Sequence, residues 1–212
     1  MDRDQAWDRM QEIQRIMERA TLWTLLPGTA AVLGGGLVLI GCAVSYAMFR
    51  SLDFADILHM SLNRQIAFCV MWFSIGVLGV LIEAILTARA AKRQGLSPTV
   101  RSARLAIFSM TPSVAVAMVL TVKFLMPAQP TVREIQYIVP VWMMLYGTGV
   151  YTAGLFSIRP PRVLGLTFIA MGVVALLAVP DYGVVSAALS FGLLHIVFGL
   201  YILRKQRQGR AS

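Results

Sequence analysis

"RQIAFCVMWFSIGVLGVLIEAILTARAAKR", residues 64 to 93, carries a single acidic residue, Glu83, between Arg64 and Arg89, and the remainder of that interval is uncharged. It is as long as the roughly 20 residues a helix needs to cross ~30 Å of hydrocarbon, and it ends on a cluster of basic residues. Five other runs repeat the pattern. The spans read as Thr29 to Phe49, Ile66 to Ala88, Leu105 to Met126, Tyr137 to Ile158, Val163 to Val179 and Tyr182 to Leu203. The chain is 58% hydrophobic and 14% charged, with a mean hydropathy of +0.71, whereas soluble domains carry about 25% charged residues. A core built from 212 residues would not absorb this much apolar surface, which makes lipid the solvent. The predicted fold is all-α: a six-transmembrane-helix bundle at 28–204, a cytoplasmic amphipathic helix at 1–27 before it, and a basic cytoplasmic tail at 205–212.

Orientation follows from Lys and Arg alone, because acidic residues contribute little to insertion. With the N-terminus inside, fifteen of the nineteen basic residues fall on inner segments, among them Arg89, Lys92, Arg93, Arg101 and Arg104 in the loop between the second and third spans. The expected location is a bacterial inner membrane with both termini cytoplasmic, and those five residues are candidates for contact with anionic lipid head groups. The net charge of +9 is then an insertion signal and calls for no nucleic-acid partner. A cleavable secretory signal is not expected, since the first twenty residues are charged throughout.

In "DQAWDRMQEIQRIMERA", Ala6, Met10, Ile13, Met17 and Ala20 recur at spacings of four and three, the narrow stripe of a helix–helix seam. Trp7 widens it, and Pro27 with Gly28 breaks the helix before the first span. Trp7, Met10, Ile13 and Met17 are therefore candidate partner-binding residues. A helix lying on the bilayer would favour a polar face rich in Lys and Arg, whereas this one mixes both signs. Within the spans, small residues four apart mark faces where helix backbones approach closely. These are Ala30 with Gly34, Ala31 with Gly35, Gly149 with Ala153 and Ala188 with Gly192, with Gly199 on the face of Gly192. The turn "VPDYGV" predicts an antiparallel hairpin of helices five and six, and Pro112 a bend in helix three.

Ionisable groups inside the membrane are costly and are functional hypotheses by default. Glu83 and His195 are two such groups, with Tyr146 and Tyr151 of the fourth span at a depth to meet His195. A neutral imidazole needs one donor and one acceptor, so one reading is an interhelical hydrogen bond. The other couples Glu83 and His195 in a proton or ion relay. No metal ligand set is nominated: "SLDFADILHMSLNR" spaces Asp53, Asp56 and His59 by three, but an interfacial half-helix with Leu58 and Leu62 facing down accounts for the same pattern. Cys42 and Cys69, inside predicted spans, read as small membrane-buried hydrophobes. No second intramembrane histidine is present for a bis-His haem, and no cofactor is implied. No serine or threonine has a general base beside it, so no catalytic residue is named.

The stretch "IQRIMERATLWTLLPGTAAVLGGGLVLIG", Ile13 to Gly41, resembles the opening of a group of uncharacterised bacterial integral membrane proteins. The shared features are a helix bearing Arg and Glu that ends in a Glu-Arg-small-Thr step, a break containing Gly, and a first span rich in small residues. The resemblance implies a bacterial inner-membrane location and carries no activity. The function expected from the residues is that of a structural, accessory or regulatory membrane subunit acting through helix–helix contacts with a protein partner or a second copy. The alternative is a small transporter or proton-coupled carrier using Glu83 and His195.

Overall fold

The computed structural model describes residues 28–93, 101–125, 131–155 and 159–211, together with Gln5, Trp7 and Arg9. Within them all regular structure is helical. The rods are α1 (Gly28–Phe49), α2 (Leu62–Arg93), α3 (Arg101–Leu125), α4 (Val132–Leu155) and α5 (Arg159–Ala178). A sixth rod joins α6 (Gly183–Ala187), a π-helical segment (Ala188–Leu194) and α7 (His195–Ala211). All six are long and apolar enough to cross a membrane. Helix is the form in which such a segment satisfies its own backbone polar groups away from water. Pro112 and Pro140 lie inside continuous helices. Met10, Ile13 and Met17 of the predicted amphipathic helix lie outside the described residues, and Trp7 is exposed.

Two antiparallel pairs form the centre of the bundle, and each is set by glycines seven residues apart. In the first, α1 packs along the sixth rod. A Cβ built on Gly35 would lie 2.5 Å from the Gly192 carbonyl oxygen, and one on Gly28 2.7 Å from that of Gly199. In the second, α4 packs along α5: a Cβ on Gly147 would meet the Gly165 oxygen at 2.7 Å, and one on Gly172 the Met144 side chain at 2.7 Å. No larger residue fits where backbone carbonyls approach this closely. The expected helix-packing residues divide accordingly. Gly35, Gly192 and Gly199 are in the first pair, and Gly149 instead faces α3, with Met110 Cα 3.4 Å from a Cβ at that site. Ala153 is half-buried. Gly34 corrects the expectation, since a Cβ there meets nothing within 4 Å. A four-residue spacing selects neighbouring turns of one helix face, whereas these crossings are shallow enough to repeat every two turns.

The predicted hairpin of helices five and six is also corrected. Their connection is tight, with Tyr182 N–H donating to the Val179 carbonyl. Each rod then makes its closest backbone packing with another helix, α5 with α4 and the sixth rod with α1, and the two meet again through the side chains of Phe168, Phe191 and His195. Matching glycine faces outweigh chain proximity here.

The segment between α1 and α2 is a 3₁₀ helix, Phe54–His59, tucked into one end of the bundle. Phe54, Ala55 and Ile57 are buried while Leu62 is exposed, so this is no half-helix lying flat with Leu58 and Leu62 down. Asp53 holds it: Oδ1 accepts from the Ala55 N–H at 2.8 Å, and Oδ2 accepts from Gln136 Nε2 of α4 at 2.6 Å. The Val184 N–H donates to the Leu52 carbonyl, tying this end to the sixth rod. We call it the 3₁₀ end, and the opposite end, with Arg89, Lys92, Arg93, Arg159, Arg162 and Arg204, the basic end.

α2 and α3 flank this centre as outriggers. Each is fastened by the same device. Trp72 Nε1–H of α2 donates to Ser45 Oγ of α1 at 3.2 Å, and Trp142 Nε1–H of α4 donates to Thr121 Oγ1 of α3 at 2.7 Å. Both hydroxyls pass their own proton to a carbonyl one turn back, Gly41 and Ala117. Each also packs on its neighbour along the same face, α2 through Phe68 on Phe49 and α3 through Met110 on Gly149, and the remainder is exposed: among the described residues none of the most apolar window of α2 is buried, and 6% of that of α3.

Candidate functional site

The two glycine-built pairs meet through an aromatic layer. Phe168 of α5, with 0% exposure, sits between Tyr146 of α4 and Phe191 of the π segment, with ring centroids 5.0 Å from each. His195 lies 5.2 Å from Phe168 edge-on and stacks on Phe191 at 15°. Such contacts contribute about 0.5–1.5 kcal/mol per pair beyond area burial. In the layer the Tyr146 hydroxyl and His195 Nε2 are 2.8 Å apart, a hydrogen bond linking the second pair to the first.

His195 Nδ1 is buried without a hydrogen-bond partner among the described residues. A neutral imidazole has one donor and one acceptor nitrogen, so its tautomer sets which way the Tyr146–His195 bond runs. The π segment ends at Leu194, the residue before the ring. Its wider turn shifts the backbone pairing that an α-helix would complete at this level, and π-turns recur at functional positions.

Glu83 approaches the same layer from α2. Its carboxylate is hydrogen-bonded by Thr87, one turn along, and lies within electrostatic range of Tyr146. Many protein atoms surround it, yet its side chain is accessible, which describes a residue lining a cleft. The structure thus joins Tyr146 to His195 directly, while Glu83 on α2 interacts with Tyr146 only at long range, through its charge. Tyr151 is elsewhere, its backbone nitrogen 2.6 Å from a Cβ built on Gly165 in the α4–α5 contact.

Of the head-group candidates, Arg89, Lys92 and Arg93 are exposed at the basic end, and the side chains of Arg101 and Arg104 lie outside the description. Asp53, Asp56 and His59 do not assemble, because Asp53 is taken up by its cap and by Gln136, and His59 is exposed. Among the described residues no group of three metal-ligating side chains converges. Both cysteines are free, Cys42 buried and Cys69 exposed on the flank of a candidate span.

Sequence reasoning did not name Phe168, Phe191, the two tryptophan–hydroxyl links or Gln136. One signal for the packing was available: Gly28 with Gly35, Gly147 with Gly154, Gly165 with Gly172 and Gly192 with Gly199 are each seven apart. Compared with protein-family models, curated proteins and solved structures, the chain matches none of them.

Proposed function

We propose that this chain is an accessory or regulatory subunit of a membrane assembly, and that it holds its partner along the flanks of α2 and α3. The observation that carries this reading is the contrast in burial. Four rods share a centre locked by glycines, whereas α2 and α3 pack on it along one face only, through Phe68, Trp72 and Ile75 of α2 and Met110 and Thr121 of α3, and leave the rest of their most apolar stretches exposed. α3 also presents a shallow groove lined by Met110, Thr111, Val114 and Ala115. In this reading the protein sits in a bacterial inner membrane with both termini cytoplasmic. Arg89, Lys92, Arg93, Arg101 and Arg104 then contact anionic lipid, and residues 1–27 add a second contact through Trp7, Met10, Ile13 and Met17.

Photo-crosslinking in native membranes tests it. A photoreactive residue at Val80 or Ile85 of α2, or at Val119 or Val122 of α3, should yield protein adducts identifiable by mass spectrometry, while Leu166 and Leu177 on α5 should not; all six are exposed. Lipid adducts alone at every position would refute the reading. A second reading, a proton-coupled carrier, is favoured by one observation, the presence inside the spans of both Glu83 and the hydrogen-bonded Tyr146–His195 pair. Purified protein in sealed vesicles separates the two: a carrier moves protons with its solute, and a subunit alone moves none.

A further inference from the structure

The antiparallel register of α1 and α2 can be followed residue by residue from the 3₁₀ end. Phe68 lies against Phe49 at 5.1 Å between ring centroids, Trp72 bonds Ser45, and the Ile75 side chain would stand 2.5 Å from a Cβ on Gly41. One further step at the same spacing would pair Gly79 with Val38, and the next Glu83 with Gly34. The contact stops short of both. Gly34, Gly76 and Gly79 each have nothing within 4 Å of a built Cβ. A wedge therefore opens between the two helices toward the basic end, walled by Gly34 on one side and by Gly79 and Glu83 on the other.

The wedge combines two features of intramembrane helix docking: small residues that admit a close backbone, and a carboxylate that lipid cannot solvate. Glu83 lies six residues before Arg89, about 9 Å deeper than that basic level at 1.5 Å per residue. Among the described residues no cation is in ion-pair contact with it. Arg162 packs against Gly154, one residue from the end of α4 and so near the basic surface, with its Nε buried and unpaired, and His195 is held by Tyr146. Arg204 lies beside Leu203, which packs on Gly28 at the very start of α1, so it is six residues shallower than Gly34. Among the described residues, a second copy thus offers no Lys or Arg at this depth.

We infer that the α1–α2 wedge is the seat of a partner's transmembrane helix bearing a lysine or arginine at the depth of Glu83. The inference rests on the subunit reading above and names the chemistry of its partner. Charge pairing supplies specificity, and the glycine walls let the incoming helix come within backbone distance of Gly34 and Gly79.

The probe is a designed Leu/Ala transmembrane helix, its orientation set by a basic flank, with one lysine about six residues inside that flank or with leucine there. The full-length protein is reconstituted with each helix in phosphatidylcholine vesicles, and association is followed by fluorescence energy transfer. The lysine helix should bind about tenfold more tightly than the leucine helix, the scale of interhelical polar contacts in lipid. Glu83→Gln should abolish that preference, and Gly34→Leu should weaken both helices by filling the wedge. Equal binding of the two helices, or a preference that survives Glu83→Gln, overturns the inference. Self-association of the protein that depends on Glu83 also overturns it, in favour of a second copy. Protein adducts on α2 and α3 without a lysine preference defeat this inference alone, whereas lipid adducts alone defeat the subunit reading.

Discussion

Replacing Tyr146 by Phe keeps the ring against Phe168 and Phe191 and removes only the hydroxyl that faces His195 Nε2 at 2.8 Å. The imidazole then keeps a buried ring nitrogen without its hydrogen-bond partner. Leaving one such group unsatisfied costs about 1–3 kcal/mol. His195→Phe reverses the fault, stranding the tyrosine hydroxyl among aromatic rings at a similar cost. The double variant strands neither, because removing both partners of a buried hydrogen bond together is close to neutral. The two losses should therefore fall short of adding. The shortfall should approach the sum of the two single losses, about 2–6 kcal/mol. The assay is equilibrium unfolding of the four proteins in mixed dodecylmaltoside and SDS micelles, followed by circular dichroism. Strictly additive losses would refute the hydrogen bond as the tie between the two helix pairs, and so would single variants as stable as the parent.

Three further outcomes follow from the same geometry. Gly35→Leu should lose on the order of 3 kcal/mol or more, because its Cβ meets the Gly192 carbonyl at 2.5 Å, whereas Gly34→Leu, with open space at that site, should unfold within about 0.5 kcal/mol of the parent in the same micelles. Asp53→Ala removes both the cap on the 3₁₀ helix and the bond from Gln136; a loss of about 1–3 kcal/mol is expected, visible as faster proteolysis between α1 and α2. A membrane-permeant maleimide should label Cys69 in the folded protein and Cys42 only after SDS, since the first thiol is exposed and the second buried; equal labelling would contradict the packing of α1.

Some of this was legible from residue order because it depends on composition along a line. An interval such as Ile66 to Ala88 separates from water whatever surrounds it, so the number of spans and their approximate limits could be read directly. Depth is equally linear, and depth alone matched Tyr146 with His195 and set Tyr151 beside it as an equal candidate. The choice between the two tyrosines needed azimuth. Five residues along a helix of 3.6 per turn rotate a side chain well away, and Tyr151 faces Gly165 while Tyr146 faces the π segment.

Pairing was decided by the tertiary structure alone. Lipid solvates every apolar face of a helix about equally, so hydrophobicity does not say which two rods touch; close shape fit at small residues does. For that reason the fifth and sixth rods, joined by a tight turn, take their closest backbone partners elsewhere, and Gly34 faces the wedge while its neighbour Gly35 meets Gly192. The same fit leaves Glu83 accessible beside an aromatic layer that no single stretch of the chain announces. Residue order determined that this chain divides into six membrane-length helices, because that division is a property of each segment's own transfer from water. Which helices form the centre, and which flank it, emerged only from the contacts between segments distant in the chain.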